Sequence, residues 1–444
     1  MTTKITEQNV SNFANLGVQW QAVVVADGST ALTVSAGKGY FIDTTSATQT
    51  VNLPANASST LGDTIILKDY ARKWNTNAVT LGSNTFDGAT NTPSFNTQGQ
   101  TVTLVHMGTT KGWSLLNEDT TTGLGAEYVA ATGGTVATSG DFKIHTFTGD
   151  SNFVVSSGGN PAGSNTVEYL VVAGGGGGGA YTTGEPGAGA GAGAGGFRFA
   201  SPSLAPATYP AKPLAAPAGL SVSAQTYPVT VGAGGAGNAP GSNNSSPGSN
   251  SVFSTITSAG GGGTKNDGSP SDGSGKPGGS GGGAGGTGLS TRDAGSGNTP
   301  PVSPSQGNDG GTYVGGGNTY YATAGGGGAM VAGGTVNPHN SDTGGSGGHG
   351  AGLPSAFGAC NGAANPSPDA FRYYAGGGGG GVYGGGSGGS GGLGGGGGGV
   401  VGNSVGTAGS ANTGGGGGGQ GNTNHQTGGA GGKGIVVIRY KFQN

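Results

Sequence analysis

The sequence predicts an all-β protein that carries a very large glycine-rich insertion and almost no α-helix. Glycine accounts for 110 of the 444 residues, and most of these glycines lie in residues 158–444. Short apolar segments alternate with turn residues through residues 1–120, which is the pattern of half-buried β-strands. A β-branched segment at residues 434–442 follows the last glycine run and predicts a final strand.

The first 120 residues predict an N-terminal β-sandwich-like domain, with a small barrel as the alternative. All three tryptophans of the chain fall in this part, as expected for a conventional hydrophobic core. Asp87-Gly88 is typical of a hairpin turn, and a weak helix signal covers residues 6–15. The eight predicted strands are residues 19–26, 31–35, 40–43, 49–53, 63–68, 78–81, 101–106 and 112–116.

The next segment, residues 121–141, is polar and rich in Thr and Gly, and we predict a linker there. Apolar alternation then resumes and predicts strands at residues 142–148, 152–155 and 167–173. The last of these strands leads directly into the first long glycine run.

These strands and the closing one predict a second small β-domain, formed by residues 142–173 together with 434–444. All the glycine-rich chain between them, residues 174–433, is then one insertion. Because each isolated strand needs partners for its backbone groups, the closing strand should pair with residues 142–148 or 167–172.

Two structures are open to the glycine-rich insertion. Ordering a glycine costs about 1–2 kcal/mol of backbone entropy and gives no buried side chain in return, so such regions are often disordered. Alternatively, extended polyglycine helices with the three-fold geometry of polyproline II can pack closely enough for N–H groups to meet C=O groups. Aromatic and apolar clusters punctuate the runs, which favours the ordered, polyglycine II-type structure.

Composition excludes several classes of function. Charged residues are only 8% of the chain and the net charge is −3, so a nucleic-acid-binding face or a polybasic membrane patch is not expected. The single cysteine, Cys360, rules out an intrachain disulfide framework. A G-x-S-x-G string at residues 385–389 arises by chance wherever Gly and Ser alternate. We therefore predict no enzyme activity and no cofactor.

One polar trio, His339, Asp342 and His349, has side chains of the kind that bind metals. A real site would need a further ligand and supporting hydrogen bonds. We predict no metal site, and whether a loop metal ion is bound stays open.

Several short motifs, in order, resemble the glycine-rich domain of bacteriophage tail-fibre and adhesin proteins. They are Tyr-Leu-Val-Val-Ala-Gly-Gly-Gly at 169–176, Val-Thr-Val-Gly-Ala-Gly-Gly at 229–235, Ser-Val-Phe at 251–253 with Ser-Ala-Gly-Gly at 258–261, and the closing 434–440. The N-terminal part, for example Trp20-Gln21-Ala22-Val23 and Gly112-Trp113, resembles short domains of structural proteins from marine phages, cyanophages especially. The Pro-rich residues 202–217 and residues 337–368 depart from the simple glycine pattern.

The resemblance implies a non-catalytic virion protein of the phage tail, made in the host cytoplasm. Its N-terminal domain would bind other tail or virion proteins, and its glycine-rich lobe would bind a host surface glycan or outer-membrane protein through variable distal loops. Fibres of this kind are commonly trimeric, so a homotrimer is favoured. The alternatives are a capsid-attached head fibre or decoration protein, and a cellular glycine-rich structural or surface protein.

Aromatic clusters that lie between glycine runs are the candidate receptor-binding residues, because rigid rings and Arg side chains form binding hot spots. Their alternative role is to cap the glycine bundle or to pack on the β-domain. The candidates are Phe197, Arg198, Phe199, Tyr313, Tyr320, Tyr321, Phe371, Arg372, Tyr373 and Tyr374.

Overall fold

The computed structural model describes two compact units: Met1–Tyr128 with Gly159–Asn165, and Val129–Gly158 with Thr166–Asn444. Helix is limited to four short 3-10 turns among the described residues, at Asn56–Ser58, Pro202–Leu204, Lys212–Leu214 and Ser355–Phe357. The all-β prediction is confirmed. The described residues are 18–443 without 117–125, 162, 182–186, 205–207, 240–241, 243, 266–272, 286–289, 316–320, 338–341, 358–362, 365–370 and 422–425. The weak helix signal at residues 6–15 lies outside them.

The first unit is built from short strands, and each of the eight predicted segments overlaps at least one of them. Asp87 and Gly88 have positive φ angles of 51° and 87° and make the predicted tight turn of a hairpin. The strands are β1 (Gln19–Trp20), β2 (Val24–Val25), β3 (Leu32–Thr33), β4 (Lys38–Asp43), β5 (Gln49–Asn52), β6 (Thr64–Asp69), β7 (Val79–Leu81), β8 (Asn84–Phe86), β9 (Ala89–Asn91), β10 (Ser94–Phe95), β11 (Thr101–His106) and β12 (Trp113–Leu115).

Two sheets enclose the core of this unit. Strand order is β1-β4-β6-β11-β12-β8-β9 in one sheet, where β2 also pairs with β4, and β10-β7-β5-β3 in the other. From β2 to β7 the chain alternates between the sheets, and the pairs β2–β4, β4–β6, β3–β5 and β5–β7 are all parallel. This winding path is that of a short β-helix, whereas hairpins would have made the sheets antiparallel. Trp74, Trp113, Phe86 and Phe95 fill the core between the sheets.

The second unit begins earlier than predicted. Its first two strands, at residues 129–132 and 135–139, lie inside the predicted linker 121–141, which corrects that boundary. The strands of this unit are β13 (Val129–Thr132), β14 (Thr135–Ser139), β15 (Phe142–Phe147), β16 (Ser151–Gly158), β17 (Thr166–Val172), β18 (Phe197–Ala200), β19 (Leu220–Ser221), β20 (Gln225–Thr230), β21 (Ser251–Phe253), β22 (Ile256–Ser258), β23 (Ala351–Pro354), β24 (Ala363–Ala364), β25 (Phe371–Tyr374) and β26 (Ile435–Lys441).

The closing strand β26 lies between β15 and β17 and pairs antiparallel with both. Val437, for example, is opposite Thr146 on one side and Leu170 on the other. The predicted pairing of the closing strand is therefore confirmed. Because β17 and β26 are neighbours, the glycine-rich insertion leaves and re-enters the sheet at adjacent positions.

The sheet β14-β15-β26-β17-β18 is buried on both faces through its centre. One face packs on a second sheet, β13-β16-β20-β21-β22, with Phe153, Tyr227, Phe253 and Tyr440 between them. The other face is covered by Tyr209 from the Pro-rich stretch and by Leu353 from the small sheet β23-β25-β24. The two stretches that fit no glycine pattern thus contribute to the cover of this sheet.

A polyglycine lattice and its distal end

The glycine run at residues 174–179 lies at the centre of a lattice of extended segments. Successive N–H groups donate to three different neighbouring segments, and every third N–H donates to the same segment. Each of these three segments runs antiparallel to the central run. The hydrogen bonds are Gly174 N–H to Ser249 O (3.0 Å), Gly175 to Gly432 (3.0 Å), Gly176 to Gly193 (2.9 Å), Gly177 to Ser246 (2.9 Å), Gly178 to Gly429 (2.8 Å) and Gly179 to Ala190 (2.8 Å).

The carbonyl groups of the same run accept from three further segments. The bonds are from Gly261 N–H to Gly174 O (2.9 Å), Gly235 to Gly175 (2.8 Å), Gly417 to Gly176 (3.0 Å), Asn238 to Gly178 (3.0 Å) and Gln420 to Gly179 (3.0 Å). The central segment therefore has six neighbours. A repeat of three residues with hydrogen bonds only between segments is the pattern expected of packed polyglycine II helices.

Close approach of the backbones explains why these positions are glycine. A Cβ atom added at Gly174, Gly177 or Gly178 would lie 2.0, 1.9 or 2.1 Å from the carbonyl oxygen of a neighbouring segment. Real Cβ atoms do not tolerate such distances, so any other residue would force the segments apart and break the hydrogen bonds.

The lattice has two ends. The proximal end is where its segments join the β-sheets, as residue 174 joins β17. The distal end is the opposite one, reached after residues 174–179, which span roughly 19 Å at about 3.1 Å per residue. Described residues at the distal end include Tyr181, Asn238, Thr323, Val382 and Gln420, which hydrogen-bond or pair with one another's segments.

Buried polar side chains terminate the helices at the distal end. Asn238 Nδ2 donates to Ala180 O (2.8 Å), and Gln420 Oε1 accepts from Tyr181 N–H (3.0 Å). Thr323 Oγ1 donates to Gly189 O (2.7 Å), and Arg292 Nη1 donates to Gly285 O (2.8 Å). These contacts replace the backbone partners that a longer lattice would supply, as capping side chains do at the ends of α-helices.

Two tyrosines form a partly exposed pair at the distal end. The ring centroids of Tyr321 and Tyr383 are 5.9 Å apart at an interplanar angle of 58°. Their segments are joined by Tyr383 N–H donating to Tyr321 O (3.3 Å) and by the bridge between Ala322 and Val382. The turn after Tyr383 is exposed and uses Gly384 at φ 90°.

The glycine-rich domain family matches residues 159–441, from just before β17 to the end of β26. The chain belongs to the glycine-rich domain family. No curated protein matches the chain. The matched range contains both the lattice and the sheet strands that hold its two ends, so the glycine-rich domain here includes its own β-scaffold.

Two of the predicted aromatic clusters lie at the proximal end of the glycine-rich domain. Phe197 and Phe199 are in β18, and Tyr374 is in β25; all three are buried in the core that covers the sheet. Phe199 packs edge-on against Phe357 (5.0 Å between centroids). These rings therefore lie in the core and not at the surface, because the chain reversals at this end are strands packed on the β-sheet. They have the packing role.

Their neighbours are less buried. Arg198, Phe371 and Arg372 are partly exposed, whereas Tyr373 is buried. Binding of a receptor by these residues stays a prediction.

The third predicted cluster does lie at the distal end. Tyr313 is fully buried beneath Arg292, whose guanidinium carbon is 5.6 Å from the ring centroid, and burial raises the pKa of Tyr313. Tyr321 is partly exposed, and Tyr320 lies outside the described residues. Sequence reasoning missed Tyr383, although its place two residues after the glycine run 376–381 is the same signal that pointed to the other clusters.

The possible metal trio is not assembled among the described residues. His339 lies outside them, and His349 Nδ1 accepts from Leu393 N–H (3.2 Å). Within the described part of the chain, no three His, Cys, Asp or Glu side chains group as metal ligands. The same residues include no helix with the length and apolar character needed to cross a bilayer.

Proposed function

We propose that this protein is a non-catalytic phage virion adhesin whose glycine-rich domain binds the host surface at its distal end. The observation that carries the proposal is that the distal end of the glycine lattice lies opposite the end that joins the β-sheets. The strands that begin and end the insertion, β17 and β26, lie at the proximal end, so the distal turns are held by a rigid lattice and lie away from these strands. Loops on such a scaffold can change in sequence without disturbing the core, which suits a receptor-binding surface.

The binding chemistry that we propose is recognition by tyrosine. Tyr321 and Tyr383 offer rigid, amphipathic rings at low entropic cost, and the charges of the chain are few, so apolar contact and hydrogen bonds would dominate over long-range electrostatics. A host surface glycan or an outer-membrane protein is the expected partner. Binding should accordingly depend only weakly on salt.

Attachment to the particle is assigned in this proposal to the first unit. Trp20 is 46% exposed, stacks on Phe41 with centroids 4.4 Å apart, and lies over Gly39. Tyr70, at 56% exposure, lies edge-on to Phe41 with centroids 6.3 Å apart. Three aromatic rings on the outer face of a sheet suit a lasting interface with another virion protein. A tail protein is favoured, and a head fibre or decoration protein is the second candidate.

The test uses the labelled full chain, cyanobacterial cells and an array of bacterial surface glycans. We expect Tyr321→Ala and Tyr383→Ala each to weaken binding by roughly 2 kcal/mol if they are hot spots. Arg198→Ala, which changes a partly exposed residue at the proximal end, is the matched control and should bind normally. Loss of binding in the control alone would move the receptor site to the proximal clusters.

Localisation is tested separately. Antibody raised against the first unit and viewed by immunogold electron microscopy should label tails of a particle that incorporates the protein. Labelling of heads selects the head-fibre function. Labelling of uninfected cell surfaces selects the cellular structural protein.

A further inference from the structure

The edge strand β14 is exposed along its whole length. All five of its residues, Thr135 to Ser139, are exposed, and Val136 is 51% exposed. It pairs with β15 on one side and, among the described residues, with no strand on the other. Such an edge presents unpaired backbone N–H and C=O groups to the surroundings.

The turn that joins β14 to β15 shows which groups point outward. Ser139 is opposite Phe142, so the turn contains two residues, Gly140 and Asp141. The residues that flank a two-residue turn form a hydrogen-bonded pair, and the pairs alternate along the strands. Thr135, Ala137 and Ser139 therefore bond to β15, whereas Val136 and Thr138 direct their N–H and C=O groups away from the sheet.

The other edges of the two large sheets of this unit are protected. The edge strand β13 contains a bulge between Ala130 and Ala131. β18 is covered, because its Phe199 O accepts from Ala216 N–H (2.8 Å) and its Phe197 N–H donates to Gln306 O (2.8 Å). β22 is only three residues long. Proteins usually prevent edge-to-edge pairing with a bulge, a covering segment, a very short strand, a charged side chain or a proline. Among the described residues, β14 has none of these features.

The sequence of β14 is self-complementary about its centre. In an antiparallel pair of two β14 strands with Ala137 opposite Ala137, the β-branched Val136 is opposite Thr138, and the hydroxyl-bearing Thr135 is opposite Ser139. Both pairings are favourable across strands. In this register the outward groups of Val136 and Thr138 meet those of Thr138 and Val136 in the second copy and form four hydrogen bonds.

We propose that β14 is the contact through which two copies of this chain associate, in antiparallel edge pairing about a two-fold axis. The contact joins the sheet that contains β14 in one copy to the same sheet in the second copy, which makes one continuous sheet. It places no charged side chain opposite a like charge, and a two-fold contact of this kind is self-limiting. The proposal is independent of receptor binding, and it favours a dimer over the trimer that the resemblance implies.

The experiment measures the mass of the full chain by light scattering after gel filtration, over a wide range of protein concentration. We expect a species of twice the 41.7 kDa chain mass. Thr138→Pro removes one outward N–H and leaves the bonds to β15 intact, since proline is tolerated at an open edge; it should give monomer. The matched control Thr138→Val keeps the N–H and should stay dimeric.

A second variant guards against loss of folding in the first. Val136→Lys places like charges near each other in the pair and should also give monomer, with the melting temperature of the second unit unchanged at low concentration. A wild-type chain that is monomeric throughout overturns the proposal. So does a dimer or trimer that Thr138→Pro and Val136→Lys leave intact.

Discussion

Glu168 and Arg439 lie directly opposite each other on the neighbouring strands β17 and β26 and form a buried ion pair. Ser203 from the Pro-rich stretch joins it: its Oγ accepts from Arg439 Nη1 (2.7 Å) and its N–H donates to Glu168 Oε1 (2.7 Å). The guanidinium also lies 3.5 Å from the ring centroid of Phe142. The pair thus connects the strands that begin and end the glycine-rich insertion with the segment that covers them.

Removing one member of this pair should destabilise the second unit strongly. Glu168→Gln leaves the Arg439 charge buried without its counter-ion, which typically costs about 3–5 kcal/mol. The double variant Glu168→Leu with Arg439→Met removes both charges and should recover much of that loss. Urea denaturation measures both, with Arg198→Met on the adjacent strand β18 as control. Equal stability of Glu168→Gln and the control would show that the pair is not important for stability.

A methyl group added at the centre of the lattice should destabilise the second unit, whereas one added where there is space should not. Gly177→Ala places Cβ 1.9 Å from Ala236 O and should cost at least about 1–3 kcal/mol, as overpacking does. Gly398→Ala is the matched control within the same lattice, because its Cβ would have no neighbour closer than 3.8 Å. The control should be neutral or stabilising by about 0.4–1 kcal/mol through the unfolded state. Thermal and chemical unfolding would compare the two, and similar destabilisation of both would contradict close packing as the cause.

His145 should make the stability of the second unit depend on pH. The ring is buried; its Nδ1–H donates to Gly133 O (2.7 Å), and its Nε2 accepts from Tyr440 O–H (3.2 Å). Burial lowers the pKa of His145 below its ordinary value of 6.5 in the folded protein. Between the lowered pKa and 6.5 the unfolded chain therefore binds a proton that the folded chain does not, so stability falls as the pH falls below 6.5.

The measurement is the free energy of unfolding between pH 5 and 8 for the wild type and His145→Gln. The variant should be less stable at pH 8 and should lose less stability on acidification. His349→Gln, at an exposed histidine, is the control and should keep the wild-type slope. An unchanged slope in His145→Gln would assign the pH dependence to other groups.

Deleting residues 434–444 should unfold the second unit while sparing the first. The deletion removes β26 and leaves β15 and β17 without their shared partner. Limited proteolysis with mass spectrometry should then degrade residues 129–433 and preserve residues 18–116. Removal of residues 443–444 alone is the control. A truncated chain that resists protease like the wild type would mean that β26 is dispensable.

Many strands that bury apolar side chains could be predicted from the sequence, although β18, with its buried Phe197 and Phe199, was not among them. The four consecutive β-branched residues from Ile435 to Ile438 predict β26, and all four are buried. β14 was missed because an exposed edge strand has no buried face and hence no apolar alternation. The parallel winding of the first unit was also missed, because alternation shows that a segment is a strand but does not identify its partner.

The candidate site was predicted in part. Glycine runs interrupted by aromatic residues indicate where the chain reverses, but reversals occur at both ends of a lattice. The sequence around Phe199 and Tyr321 is similar in this respect, yet one ring is buried on the β-sheet and the other is partly exposed at the distal end. Each glycine segment carries the chain from one end of the lattice to the other, so the end at which a ring lies depends on how many segments precede it. Composition does not reveal that number.

The three-fold repeat of the central run limits the number of residues by which a glycine run can be lengthened or shortened. Each residue of a polyglycine II helix turns the next N–H by about 120°, so one inserted residue would send every later donor toward the wrong neighbour. Three inserted residues would restore all the partners one turn further along. Insertions and deletions inside the runs are therefore tolerated in steps of three, whereas the distal turns are free to vary by any number.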